Sequence, residues 1–251
     1  MLPVELQRAL DTVSRVPRLL VTCDFDGTLA PIVSNPADAR MLSDAATALT
    51  ALAELPDTDV ALVSGRALGV LRTLSGMPAS VHLVGSHGAE FDTGFAHDID
   101  EGLLTRIIAE LNEIAANKPG VTVETKPASV ALHVRNANPA DGEAALEQAR
   151  RASENWDAHA TAGKAVLEFA VIQTDKGEAV DILRDQNAST AVVFVGDDVT
   201  DEKAFARMRD GDIGVKVGPG DTAAGFRIGS PDDVAEALAF LLNARAPITE
   251  V

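Results

Sequence analysis

The sequence has a single cysteine, Cys23. No intrachain disulfide can form, and zinc sites built from several cysteines are excluded. One thiol suits a reducing compartment, and a cytoplasmic location is the expectation. Cationic residues are also scarce: 21 Lys and Arg against 38 Asp and Glu leave a net charge of −17. Without a basic stripe the chain has nothing to neutralise a nucleic-acid backbone or to hold an anionic bilayer, so neither is an expected partner. Every apolar run falls short of the roughly 18 residues that cross a membrane. The charges of Glu5, Arg8, Asp11, Arg15 and Arg18 leave no room for a secretory leader core. Repeats and low-complexity tracts are missing too. What the chain does have is apolar content, 46% over 251 residues with 24% charged, enough for one large core or two modest ones. A monomer acting on a small molecule is expected.

The two ends of the chain read alike. Short apolar runs at 19–23, 59–63, 81–84, 191–195 and 213–217 suit strands buried on both faces of a parallel sheet. They alternate with helical patterns at 4–16, 43–55, 66–74, 176–185, 202–208 and 234–242. That alternation predicts a doubly wound, Rossmann-like α/β core over 1–97 and 173–251. The middle differs. Strands are expected at 121–125, 130–135, 159–162 and 165–170, with helices at 103–116 and 139–156, giving an inserted α+β module at 98–172.

Polar residues gather where core strands end, the edge at which open parallel sheets bind ligands. They are Asp24-Phe25-Asp26-Gly27-Thr28, Ser64-Gly65-Arg66, Lys176 at a helix start, and Gly196-Asp197-Asp198 with Thr200, Asp201 and Glu202 behind. If the acids converge they repel, by roughly 4 kcal/mol for a pair about 4 Å apart at an effective dielectric near 20. A cation is needed to hold them, and carboxylates without histidine or cysteine favour Mg²⁺. Ser64 and Lys176 offer a hydroxyl and a positive charge to phosphate oxygens. Asp24 suits a nucleophile that accepts a phosphoryl group, and Asp26 an acid and base for the leaving oxygen and the attacking water.

DFDGT, VSGR, the helix-opening lysine and GDDVTDE, in this order, resemble the haloacid dehalogenase superfamily of phosphatases. Within it, Leu29-Ala30-Pro31-Ile32, Gly85-Ser86-His87-Gly88-Ala89-Glu90, Lys126, His133-Val134-Arg135 and Gly163-Lys164-Ala165-Val166-Leu167-Glu168 resemble the trehalose-6-phosphate phosphatase family. The resemblance covers about residues 18–242. It departs after Glu168, where the family often has an arginine-proline pair and this chain has Phe169-Ala170. The resemblance implies Asp24 as nucleophile and Asp26 as acid/base, with Ser64 and Lys176 on the transferring phosphate. Mg²⁺ would be held by Asp24, Asp197 and the Asp26 carbonyl, with Asp198 and Asp201 on metal-bound waters. Thr28, Gly65, Arg66, His87, Glu90, Lys126, His133, Arg135, Lys164 and Glu168 would contact substrate, and 98–172 would be a cap over the sugar.

Each residue also has a plainer reading. A lone Asp-x-Asp belongs equally to turns and helix starts, and Asp201 and Glu202 would favour a helix first turn without any catalysis. Ser64 suits a helix cap, Arg66 a turn support, Trp156 an anchor for the module's helix, and Cys23 an inert core thiol. His133 and Arg135, two apart on an expected strand, share a face that is either solvated or ligand-facing. Rival functions are a sugar phosphomutase, a phosphatase of another sugar phosphate such as sucrose 6-phosphate, and, from a different class, a phospho-receiver module. The receiver is opposed by the paired acids following the first strand and by the inserted module.

Overall fold

The computed structural model describes residues 2–163 and 165–246; Lys164 lies outside them. The chain forms two compact units, Met1–Ala96 with Thr174–Val251, and His97–Gln173.

The first unit begins with α1 (Val4–Val13), β1 (Leu19–Cys23), α2 (Ser43–Ala53), β2 (Thr58–Val63), α3 (Leu68–Ser75) and β3 (Val81–Gly85), then a short hairpin, β4 (Glu90–Phe91) and β5 (Gly94–Phe95). The second unit holds α4 (Glu101–Ala115), β6 (Thr122–Thr125), β7 (Ser129–His133), α5 (Pro139–Ser153), β8 (His159–Gly163) and β9 (Val166–Ala170). The chain returns to the first unit with α6 (Lys176–Gln186), β10 (Ala191–Gly196), α7 (Glu202–Phe205), β11 (Ile213–Val217), β12 (Phe226–Ile228) and α8 (Pro231–Arg245).

The large sheet runs β12-β11-β10-β1-β2-β3-β4-β5. It is parallel from β12 to β3 and antiparallel at its hairpin edge. The chain winds outward from β1 through β2 to β3, then from β10 through β11 to β12. The strand order therefore reverses between β1 and β10, and this crevice is where such folds bind ligands. β1 shows why the strands are continuously apolar. Leu19, Val21 and Cys23 enter the core beneath α1, α2, α3 and α8, while Leu20 enters the one beneath α6 and α7. At 25 cal/mol per Å², each fully buried leucine contributes roughly 1.5–3 kcal/mol, and Leu19 and Leu20 are both wholly buried.

In the second unit the sheet β6-β7-β9-β8 is antiparallel. Val130, Leu132, Leu167 and Phe169 face the core beneath α4 and α5. Trp156 meets Phe169 edge to face at 4.8 Å, which anchors the end of α5. One expected strand is shorter than its sequence suggested: β7 stops at His133, and Arg135 lies exposed in the turn that follows. The turn Ala137 N–H to Val134 C=O and the cap of α5 by Asn138 end the strand early.

Candidate active site

Asp24 follows β1 directly, and its N–H still donates to Val195 C=O, 2.9 Å away, so the β1–β10 ladder fixes its backbone. The loop then turns back on itself, with Gly27 N–H to Ala30 C=O at 2.7 Å and Ala30 N–H to Phe25 C=O at 2.8 Å. Gly27 has φ +81°, and a Cβ there would sit 2.1 Å from Asp197 Oδ2. Only glycine lets the two loops approach this closely. Gly196 serves the same end on β10, where a Cβ would meet Asp201 Cγ at 2.4 Å.

Three carboxylates converge. Asp24, Asp197 and Asp201 each offer an oxygen, all within 4.8 Å of one another. Lys176, first residue of α6, donates from Nζ to Asp24 Oδ1 and Asp201 Oδ1, each at 2.7 Å. Lys176 is 2% exposed, Asp24 4% and Asp201 0%, so these charges interact outside bulk water. Burial, with Asp201 adding repulsion against the opposing pull of Lys176, pushes Asp24 up to about 7. Asp197 is raised as well, by burial first and then by Asp201, while bonds from Thr28 and Asp24 hold it down. Burial opposes the Lys176 ammonium, but Asp24 and then Asp201 outweigh it and its pKa is raised.

The residues suit a divalent cation. Three ionised carboxylates and one ammonium leave two negative charges, and the donor set is all oxygen, the chemistry of Mg²⁺. Asp201 stands at the N-cap position of α7 without capping it; its oxygens are taken by Lys176 and by Asp198 N–H at 2.9 Å. Asp198 is exposed, and its carboxylate accepts from Val199 N–H.

The other sequence candidates divide. Asp26 and Arg66 form a two-bond ion pair, Nε to Oδ2 and Nη2 to Oδ1, both 2.6 Å, and the guanidinium lies 5.7 Å over the Phe25 ring. The pKa of Arg66 is raised, chiefly by this bond. Ser64 is buried and does not cap α3, whose N-cap is Ala67; its hydroxyl accepts from Arg66 N–H at 3.2 Å. Thr28 is wholly buried and donates to Asp197 Oδ1 at 3.3 Å. Glu90 is 7% exposed. Its carboxylate holds the Ser86 hydroxyl and takes Leu68 N–H, 3.4 Å away. His87 has φ +56° and Ser86 φ +49°, and His87 Cε1 lies 2.4 Å from where a Gly65 Cβ would be. The 85–90 loop thus clamps the Ser64-Gly65 turn. Burial, with Asp24 next to it, pushes the Cys23 thiol up, which removes it as a nucleophile.

On the second unit, Lys126 Nζ binds both oxygens of Glu168 at 2.9 Å, and the Ser129 hydroxyl adds a bond of 2.7 Å. His133 Nε2 lies 2.7 Å from Glu124 Oε2. Ser129 and Glu124 were not singled out by sequence. Register supplies the missing signal, because Ala131 pairs with both Glu124 and Glu168 and puts the two acids on one face.

The sequence model of the trehalose-phosphatase family matches residues 22–225. A trehalose-6-phosphate phosphatase of Escherichia coli (strain K12) is 34% identical over 220 residues, covering 84% of this chain and 82% of that protein. A trehalose-phosphate phosphatase of Mycobacterium marinum is 36% identical over 256 residues, covering 92% of this chain. The chain spans 65% of that protein's length, and 59% of a Mycobacterium avium relative's. Among solved structures, trehalose-6-phosphate phosphatase of Aspergillus fumigatus superimposes with TM-score 0.72 at 26% identity, covering 95% of this chain and 97% of the other. The C-terminal domain of the Candida albicans protein gives TM-score 0.72 at 24% identity, covering 96% and 97%.

Proposed function

The chain belongs to the trehalose-phosphatase family, and from that premise we propose that it hydrolyses trehalose 6-phosphate to trehalose and phosphate through an aspartyl-phosphate on Asp24. The observation that carries the chemistry is the Asp24-Asp197-Asp201-Lys176 cluster, buried except at Asp197, at the point where the strand order reverses.

An oxygen of Asp24 attacks phosphorus and the bond from phosphorus to the sugar oxygen breaks, with Asp26 giving that oxygen a proton. Water then attacks the phosphoryl group, Asp26 takes a proton from it, and the bond to Asp24 breaks, regenerating the carboxylate. Asp26 must release at least one of its two bonds to Arg66 to carry a proton. Ser64 and Lys176 hold the phosphate oxygens, and much of the remaining catalysis is positioning and charge stabilisation. Asp24 and Asp197 would hold Mg²⁺ by their carboxylates and Asp26 by its carbonyl, with Asp198 and Asp201 on metal-bound waters, and the ion would supply positive charge to the transferring phosphoryl group.

Sugar recognition falls to the second unit, read as a cap, through Glu168, Lys126, Arg135, His133 and Lys164. A disaccharide offers many hydroxyls and little apolar surface, so charged hydrogen-bonding groups suit it. Phosphate release from a panel of sugar phosphates tests this reading. Trehalose 6-phosphate should be preferred, and Asp24→Asn should fall to background with an unchanged circular dichroism spectrum. Preference for glucose 6-phosphate or sucrose 6-phosphate would remove the substrate assignment, and a tenth of wild-type activity left in Asp24→Asn would remove the mechanism.

A further inference from the structure

β11 contains an anomaly. Ile213, Val215 and Val217 enter the main core, but Lys216 between them is 4% exposed. A lysine so deeply buried is rare unless it is paired. Strand alternation turns it to the opposite face, and its partner in register is Gly196, the residue before Asp197. Its Nζ donates to the Asp197 backbone C=O at 2.5 Å. The same Nζ lies 3.7 Å from Glu202 Oε1, a buried oxygen that accepts no hydrogen bond among the described residues. Glu202 Oε2 accepts from Ala223 N–H at 2.8 Å. The backbone of Asp197 is thus tied through a lysine and a glutamate to the loop between β11 and β12.

We propose that Lys216 is a positioning residue for the cation site: by holding the Asp197 carbonyl it fixes where the Asp197 carboxylate points. The inference rests on the reading of Asp24 and Asp197 as Mg²⁺ ligands. Glu202 balances the charge of Lys216, so the contribution is one of geometry. Groups that orient a ligand in this way typically matter about 10–100-fold in metal affinity.

Removing Lys216 alone would also make the site more negative and draw Mg²⁺ in, masking the effect. The variant to use is therefore Lys216→Met with Glu202→Gln, which leaves net charge unchanged and keeps an acceptor for Ala223 N–H. Mg²⁺ binding is measured by calorimetry on the full chain without substrate, alongside urea unfolding in EDTA. The double variant should bind Mg²⁺ about 10–100-fold more weakly, and Lys216→Met alone should lose less. KM for substrate at saturating Mg²⁺ should stay within twofold. If the methionine pair does not fold, Lys216→Leu with Glu202→Gln, which likewise lacks a donor at 216, is read by the same criterion. Affinity within twofold of wild type in the folded double variant overturns the role of Lys216 and leaves the metal reading standing. A wild-type protein that binds no Mg²⁺ overturns both.

Discussion

Replacing Lys176 with methionine tests the electrostatics of the site directly. The change keeps chain length and an apolar stem but removes the one ammonium that touches both Asp24 and Asp201, each at 2.7 Å. Oxygens of the two acids lie within 4.8 Å, so at an effective dielectric near 20 their repulsion is about 3 kcal/mol. Removing one partner of a buried pair typically destabilises by about 3–5 kcal/mol. The two routes agree, and a loss of about 3–5 kcal/mol is expected at pH 8 in EDTA, a large part of a domain's usual 5–15 kcal/mol. The pH dependence follows from Asp24, raised to about 7. A carboxyl whose folded pKa lies above its unfolded value of about 3.9 contributes stability that is lost as pH rises from about 4 through 7. Taking away Lys176 removes a lowering influence and carries that pKa above 7, so the deficit should shrink as pH falls from 8 to about 7 and stay level below it. Urea unfolding should be followed by far-ultraviolet circular dichroism, because the only tryptophan, Trp156, lies in the second unit and the chain has no tyrosine. Adding Asp201→Asn should restore part of the loss. A deficit under about 1 kcal/mol at pH 8, or one of equal size at pH 5.5 and pH 8, would refute the reasoning.

Three further outcomes are expected. Chelation should abolish hydrolysis and Mg²⁺ restore it; because Asp24 is raised to about 7, Mg²⁺ affinity should climb with pH up to about 7 and binding should release protons below it, whereas a flat titration from pH 5.5 to 8 would count against Asp24 as a ligand. Asp26→Asn should slow hydrolysis of a sugar phosphate more than phosphoenzyme formation from p-nitrophenyl phosphate, whose leaving group needs no proton; equal losses would remove Asp26 as the acid. Glu168→Ala should cut kcat/KM for trehalose 6-phosphate by roughly one to two orders of magnitude, the worth of a charged hydrogen bond. It should spare an aryl phosphate, and the fold should tolerate the change because Lys126, with 27% of its side chain exposed, can return to water; equal loss on both substrates would sink the role.

The main sheet was legible because a strand buried on both faces has no choice but to be apolar throughout, as in Leu19–Cys23 and Ala191–Gly196. The hairpin Glu90–Phe91 and Gly94–Phe95 and the short strand Phe226–Ile228 were not expected. With two or three residues each they carry no periodicity, and pairing with a neighbouring strand creates them. α8 begins at Pro231, earlier than its apolar stretch suggested, because the Ser230 side chain caps Asp233 N–H and proline suits a first helical turn. β7 ends at His133, since the hydrogen bonds of a turn are invisible in a pattern that runs on to Arg135.

At the site, sequence yields an inventory of charged groups, and their pairing comes from the fold. Asp24, Lys176, Asp197 and Asp201 stand out by residue type at strand ends, yet nothing local says that Lys176 joins Asp24 and Asp201, 152 and 25 positions away. Arg66 reaches Asp26 across 40 positions and Lys126 reaches Glu168 across 42. Lys216 passes unnoticed inside the run 213–217, read as apolar, and its target appears only when β10 and β11 are aligned. Matching is how a chain of net charge −17 could accept the anionic substrate proposed for it. Asp24 and Asp201 share Lys176 and Asp26 has Arg66 against it, and Lys176 is the cation a phosphate would engage. Moving Lys176 onto phosphate leaves its carboxylates uncompensated unless another positive charge replaces it. The acids that look hostile to a phosphate ester are therefore the reason a cation would enter with one.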